Sequence, residues 1–230
     1  MTLYKFSIFG ILVTVIAFLL ARTLKTKVNI VLFNPVLVAS ALIILFLVLV
    51  DIPFDDYYKG GKYVSFLLGP SVVALGVVFY EKYQVIKRNI YPFLIAVCCG
   101  GTISVFTVVI ITFLMNAPEV ILKSIVSLSV TTPIAIEITK ITEGIPSITA
   151  GVVITVGILG NAIGPGFLKL LGIQSPSAIG TALGTAAHGI GTARALEEGY
   201  LSGAYSGLAM CVNGILTTLF APYVVLWVVQ

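Results

Sequence analysis

A chain of 230 residues that is 59% hydrophobic and only 10% charged, with a mean hydropathy of +1.14, cannot hide its apolar surface in a water-soluble core. Soluble domains carry roughly a quarter of their residues as charges. The formal net charge is +4, but no basic cluster interleaved with aromatics could track a phosphate backbone, which excludes a nucleic-acid binder and leaves an all-α, polytopic membrane protein.

A membrane span takes about 20 apolar residues. That ruler marks eight candidates, at 3–21, 31–50, 63–80, 91–115, 119–140, 147–171, 177–196 and 201–229. The first, Leu3–Leu20, has only Lys5 as a basic flank and no small-x-small cleavage site, so a retained span is expected rather than a signal peptide. Asn34 before Pro35 marks the start of the second. The aliphatic run Leu42-Ile43-Ile44-Leu45-Phe46 suits a dimer face or lipid equally. The polar connection Tyr57–Tyr63 reads as a headgroup-level loop, with a lid as the functional alternative.

The third candidate contains Leu68-Gly69-Pro70-Ser71 and the fifth contains Thr131-Thr132-Pro133-Ile134. Proline inside a helix removes one hydrogen bond and clashes with the preceding turn, but at the first residue of a new half-helix it costs little. Gly69 and Thr132 stand where an N-cap is needed. Both sites therefore read as helix breaks, whose free N–H groups and dipoles suit a small anion such as a carboxylate. Ser71, Thr131 and Thr132 add hydroxyls, which could equally satisfy their own backbone. The pair suggests a transporter-like internal repeat, although one full span between them makes the two segments run the same way. A parallel repeat, a re-entrant segment and a merely local similarity all stay open.

Later in the chain, Glu137 and Lys140 share a helix face as an ion pair or a proton or sodium site. Asn161, before Gly164-Pro165-Gly166, places an amide among small residues, either for a solute or for helix–helix bonding. The seventh candidate is small and polar and suits a packed helix, a broken helix or a re-entrant hairpin. It holds His188, the sole histidine, with Gly189, Gly191, Thr192 and Arg194 close behind. An ionisable residue within a span points to function, though a neutral imidazole bonded to a backbone carbonyl explains it too. Arg194 either draws an anion inward or pairs with Glu197 or Glu198. Cys98, Cys99 and Cys211 fall inside spans and are expected to be buried, inert thiols. No metal-ligand spacing, nucleophile–base pair or cofactor fingerprint occurs, so no enzyme, metal or cofactor is expected. The lysines and arginines favour an N-terminus outside the cell.

The stretches Leu68–Leu75, Ser129–Ala135 and Ala187–Ala193, together with Asn34-Pro35, resemble the signature of the LrgB/CidB family over nearly the whole chain. The resemblance implies a multi-pass inner-membrane protein working with a small holin-like LrgA/CidA partner and modulating murein hydrolase activity and autolysis. It also implies a substrate class, small 2-oxo or 2-hydroxy monocarboxylates, since the plastidal glycolate/glycerate translocator is similar. The expectation is one integral membrane domain, 1–230. Residues 1–56 are candidate scaffold or homodimer spans, and 57–200 a substrate bundle with breaks near 69–71 and 131–134. The expected binding residues are Gly69, Pro70, Ser71, Thr131, Thr132, Pro133, Asn161, His188, Gly189, Gly191, Thr192 and Arg194. The expected function is monocarboxylate carriage, with a holin- or antiholin-like pore or scaffold as the alternative.

Overall fold

The structure, a computed structural model, describes residues 7–27, 35–67, 70, 77, 80–81 and 83–229. These are helical throughout, in two compact units, Met1–Ala74 and Leu75–Gln230.

In the first unit, α1 (Ser7–Lys27) packs against α2 (Pro35–Leu49) and α3 (Phe54–Phe66). The α1–α3 approach depends on two glycines. Gly10 faces the backbone of Tyr57 and Gly60 faces that of Ser7, so a Cβ at either would collide with main chain. Thr14 Oγ1 and Tyr57 OH share a 2.8 Å hydrogen bond across this contact. The polar stretch 57–63 expected as a loop is therefore part of α3, with its glycines turned inward.

The second unit is built on three long helices, α5 (Ile90–Leu114), α8 (Pro146–Leu170) and α10 (Tyr200–Val229), preceded by the short α4 (Tyr83–Arg88). With α1 these long helices are, among the described residues, the four apolar enough and long enough to cross a membrane. Two further stretches of this unit, 119–140 and 177–196, each fold back on themselves.

The stretch 119–140 divides into α6 (Glu119–Ile125) and α7 (Thr132–Ile141), joined by a six-residue turn, 126–131. Thr142 Oγ1 donates to the Lys123 carbonyl at 2.9 Å, and Ser127 Oγ lies 3.4 Å from the Ala135 carbonyl. Contacts that tighten in sequence toward the turn are those of a helical hairpin. Its base is stitched to α8 by hydroxyls: Thr149 Oγ1 donates to the Ser124 carbonyl at 2.7 Å and lies 2.7 Å from Thr139 Oγ1. Its apolar side, with Val126, Val130, Ala135 and Ile138, joins Val105, Val153 and Val225 in the largest core cluster.

The stretch 177–196 lies in α9 (Pro176–Glu198), whose helical geometry fails at Ala187 (φ −128°, ψ 17°) and His188 (φ 42°, ψ −131°). Gly191 lies against the Leu183 backbone. Gly180 touches Ser202 and Tyr205, while Leu196 touches Gly203, so residues sixteen apart meet the same turn of α10. A straight helix would hold them about 24 Å apart. This is a second hairpin, the re-entrant alternative of the three the small residues allowed.

The eight expected spans are thus revised. Stretches 3–21, 91–115, 147–171 and 201–229 correspond to α1, α5, α8 and α10, and 31–50 to the shorter α2. Stretches 119–140 and 177–196 are hairpins, and most of 63–80 lies outside the described residues. Proline does not end α8, which runs through Pro165. The three cysteines are exposed on helix surfaces, contrary to the buried thiols expected, because they sit on outward faces of α5 and α10.

Candidate functional site

The two hairpin tips meet on one side chain. Asn213, fully buried on α10, donates from Nδ2 to the Ser129 carbonyl at 3.2 Å and to the Thr185 carbonyl at 3.1 Å. Ser129 belongs to the first tip and Thr185 lies just before the second. A carbonyl near a break in a helix needs a donor from elsewhere, and in a water-poor interior an amide is well suited to supply it. Gly101 of α5 leaves room for Asn213, since a Cβ there would strike Oδ1.

The second tip is held by two neighbouring helices, α8 and α10. His188 Nε2–H donates to the Val153 carbonyl of α8 at 3.1 Å, which fixes that tautomer, and Gly157 makes space for the ring. Asn161 Nδ2 donates to the Ile190 carbonyl at 2.9 Å. Thr192 Oγ1 donates to the His188 carbonyl and lies 2.9 Å from Ser206 Oγ of α10. The backbone of His188, with positive φ, occupies a region that side chains rarely adopt. His188 is thus the reversal point of the hairpin, and its Nε2 proton is committed to main chain rather than to a solute.

Beside the tips lies a cavity of about 940 Å³. One wall is a face of α5 carrying Phe93, Ala96, Gly100 and Ser104; the opposite wall is the first half of α9 with Thr181, Ala182, Thr185 and Ala186. Leu128 of the first tip, Val156 of α8 and Tyr205 of α10 complete its depth, and Asn89 and Ser175, at the starts of α5 and α9, lie at its far end. Two of the lining residues carry hydroxyl oxygens, Thr185 Oγ1 and Tyr205 OH, that are buried without a hydrogen-bond partner and have almost no accessible surface of their own. Among the described residues, no Lys, Arg, His, Asp or Glu side chain lines it.

The expected site residues divide accordingly. Asn161, His188, Gly189, Gly191 and Thr192 come together as the second tip and its supports. Thr131, Thr132 and Pro133 begin α7 behind the first tip, Thr131 in an extended N-cap conformation. Arg194 is held by Glu197 and Glu198, at 2.6 Å each, and Lys140 by Glu137 at 2.7 Å, the ion-pair alternative in both cases. Pro70 is exposed, and Gly69 and Ser71, with Asn34, lie outside the described residues. The tip that meets the Pro133 turn is therefore the histidine turn, which contains no proline. Sequence reading missed Asn213, Thr185 and Tyr205. The signal was present in the four-residue spacing of Thr181 and Thr185, which sets both hydroxyls on one face of the half-helix.

Comparison with known proteins gives a family. The model of the LrgB-like family matches residues 14–227. The chain is similar to the Bacillus subtilis protein YxaC, 36% identical over 94% of both chains, and to YwbG of the same organism, 32% identical over 94% of this chain and 96% of that one. It is also similar to a Bacillus cereus protein named antiholin-like protein LrgB, 34% identical over 93% of this chain and 94% of the relative. No solved structure matches.

Proposed function

The chain belongs to the LrgB-like family of membrane proteins, and from that footing we propose that it is a secondary carrier for small monocarboxylates of the pyruvate, lactate, glycolate or glycerate type, linked to control of murein hydrolase activity and autolysis. One observation carries the reading: two helical hairpins bring their tips together on Asn213 beside a cavity far larger than one small organic acid. Interrupted backbone at membrane depth is tolerated where it lines a cavity, and it offers a solute the N–H and C=O groups that a continuous helix keeps for itself.

The connectivity supports alternating access. The first hairpin has its base near Asn116 and Glu143, the second near Ser175 and Gly199, at opposite ends of the long helices. The unit of hairpin plus following helix occurs twice, as 119–170 and 176–229, entering from opposite sides. An inverted repeat would give this arrangement, although it joins the Pro133 turn to the histidine turn and not to the Pro70 segment, most of which lies outside the described residues. Lys87, Arg88, Lys169 and Arg194 lie toward the end of Asn89 and Ser175, against Lys123 and Lys140 at the other. The positive-inside rule puts the former end in the cytoplasm, so the cavity faces inward in this conformation. A homodimer through the first unit, and an LrgA/CidA-type partner, belong to the same reading.

The name of the B. cereus relatives favours a second reading, an antiholin-like pore component or regulatory scaffold without a substrate site. Liposome flux separates the two. A carrier gives saturable uptake of pyruvate, lactate or glycolate by the purified chain, weakened in Thr132→Val and His188→Ala. Non-saturable leakage of unrelated solutes would establish the pore instead.

A further inference from the structure

On the long helices, Thr112, Thr155 and Thr218 return their hydroxyls to the carbonyls of Val108, Gly151 and Gly214, one turn earlier, at 2.8 Å each. The hydroxyls along the cavity wall of α9 are committed as well: Thr181 donates to the Ser177 carbonyl, and those of Ser175 and Ser177 bond each other. Thr185 and Tyr205 have no surface to offer. Ser104 of α5 differs from all of these. It lines the cavity and is half-buried; its hydroxyl has no hydrogen-bond partner among the described residues, yet the oxygen keeps accessible surface. Its place is also particular. Pro92, Phe93, Ala96, Gly100 and Ser104 follow one another in steps of one to four residues along one face of α5. Asn89 stands at the cytoplasmic end of that row, and Ser104 lies about 22 Å farther in. It is the innermost member, next in the helix to the turn where Gly101 makes room for Asn213 and the two joined tips.

We propose that Ser104 is a substrate-binding residue of the carrier, donating its hydroxyl hydrogen to a carboxylate oxygen of the acid at the inner end of the cavity. This rests on the monocarboxylate reading above and adds the point at which the solute is held. A hydroxyl that faces an open cavity is accessible to water, so leaving it unbonded to protein costs little until a solute displaces that water. An ionised oxygen is the acceptor best able to repay the exchange, because a hydrogen bond to a charged partner is roughly twice as strong as one between neutral groups. The rest of the α5 row inward of Asn89 is apolar or bare backbone, so nothing on that wall stops the acid short of Ser104. The solute then rests beside the two hairpin tips, the elements whose movement exposes it to the other side.

The test pairs accessibility with uptake. In a chain carrying Cys98→Ser, Cys99→Ser and Cys211→Ser, one thiol is introduced by Ser104→Cys or by Ala96→Cys. Its reaction with a small methanethiosulfonate is followed by mass in detergent, with no addition, with sulfate, or with pyruvate well above the KM of that variant's own uptake. Both thiols are expected to react. Pyruvate is expected to slow the reaction several-fold at Ser104→Cys and to leave Ala96→Cys unchanged, while sulfate protects neither. In proteoliposomes, Ser104→Ala should raise the KM for pyruvate about tenfold with a maximal rate close to that of the full chain, the pattern of a lost binding contact. Its melting midpoint without solute should match that of the full chain, because no bond within the protein is lost. If either thiol stays unreactive, this face of α5 does not line an open cavity and the assignment fails. Absence of protection at Ser104→Cys overturns it too, as does protection by sulfate, or equal protection of both thiols, which reports a change of shape rather than contact. An unchanged KM in Ser104→Ala overturns the assignment but leaves the carrier reading in place. A full chain without saturable uptake removes the carrier reading and the assignment together.

Discussion

The two hairpins solve the same problem with opposite materials. The first spends six residues on its reversal and anchors its sides with bulky aliphatics, so that Val126, Val130 and Ile138 are each about 1% exposed within the main core. The second reverses at two residues, Ala187 and His188, and replaces side-chain packing by backbone contact: Gly180 and Gly184 press on the α10 main chain, and Gly191 on Leu183. Bulk holds the first hairpin; the absence of bulk admits the second. The thin hairpin lines most of the cavity that the hairpins enclose, with Leu128 alone from the first, since small side chains leave room for a solute while the helix backbone stays close to its neighbour.

That contrast can be broken most sharply at Gly184. Gly184→Val forces a side chain into the Ser206 backbone, where nothing can yield, and should cost about 3 kcal/mol or abolish the folded peak in size-exclusion of the detergent-solubilised protein. An equally folded Gly184→Val would refute backbone contact as the basis of the second hairpin. Next in size, Asn213→Leu leaves the Ser129 and Thr185 carbonyls without their shared donor and should lower stability by about 2 kcal/mol, read as a fall in melting midpoint. An unchanged midpoint would mean that the tips are not joined through this amide.

The reversal itself is sharpened by a pair of changes at His188. His188→Ala keeps a side chain in the unfavourable φ 42°, ψ −131° region and loses the Val153 bond, an expected cost of about 1–2 kcal/mol. His188→Gly loses the same bond but relieves the backbone, so it should melt higher than His188→Ala. Should the alanine variant prove the more stable, strain is not stored at this turn. The smallest effect belongs to the first hairpin, where Thr149→Val removes the hydroxyl that reaches both Ser124 and Thr139 at the base and should cost about 1 kcal/mol, because the surrounding aliphatics remain. Hydrogen exchange at the 126–131 turn should rise only slightly in that variant.

Much of this was legible before any coordinates. The apolar composition required a membrane protein, the length ruler found α5, α8 and α10 to within a few residues, and Thr131-Thr132-Pro133 marked a real interruption. The small, polar run around His188 was correctly unfit for lipid. What misled was the apolar length of 119–140, which is long enough to cross a membrane but folds back, since hydropathy counts residues and is blind to the direction of the chain. Asn213 was invisible for a related reason. Its neighbours Val212 and Gly214 give no local sign that Ser129, 84 positions away in sequence, returns to its amide.

Sequence alone determined the solvent, the helical class and the places where helices must begin or fail, because hydropathy, capping and proline sterics act over a few residues. Only the tertiary structure decided which failure meets which, that the histidine turn and the Pro133 turn share an asparagine, and that α5 and the first half of α9 line one cavity. Those facts depend on close approach between distant helices. It is set by where glycines let backbones touch, and so it exists only once the helices have packed.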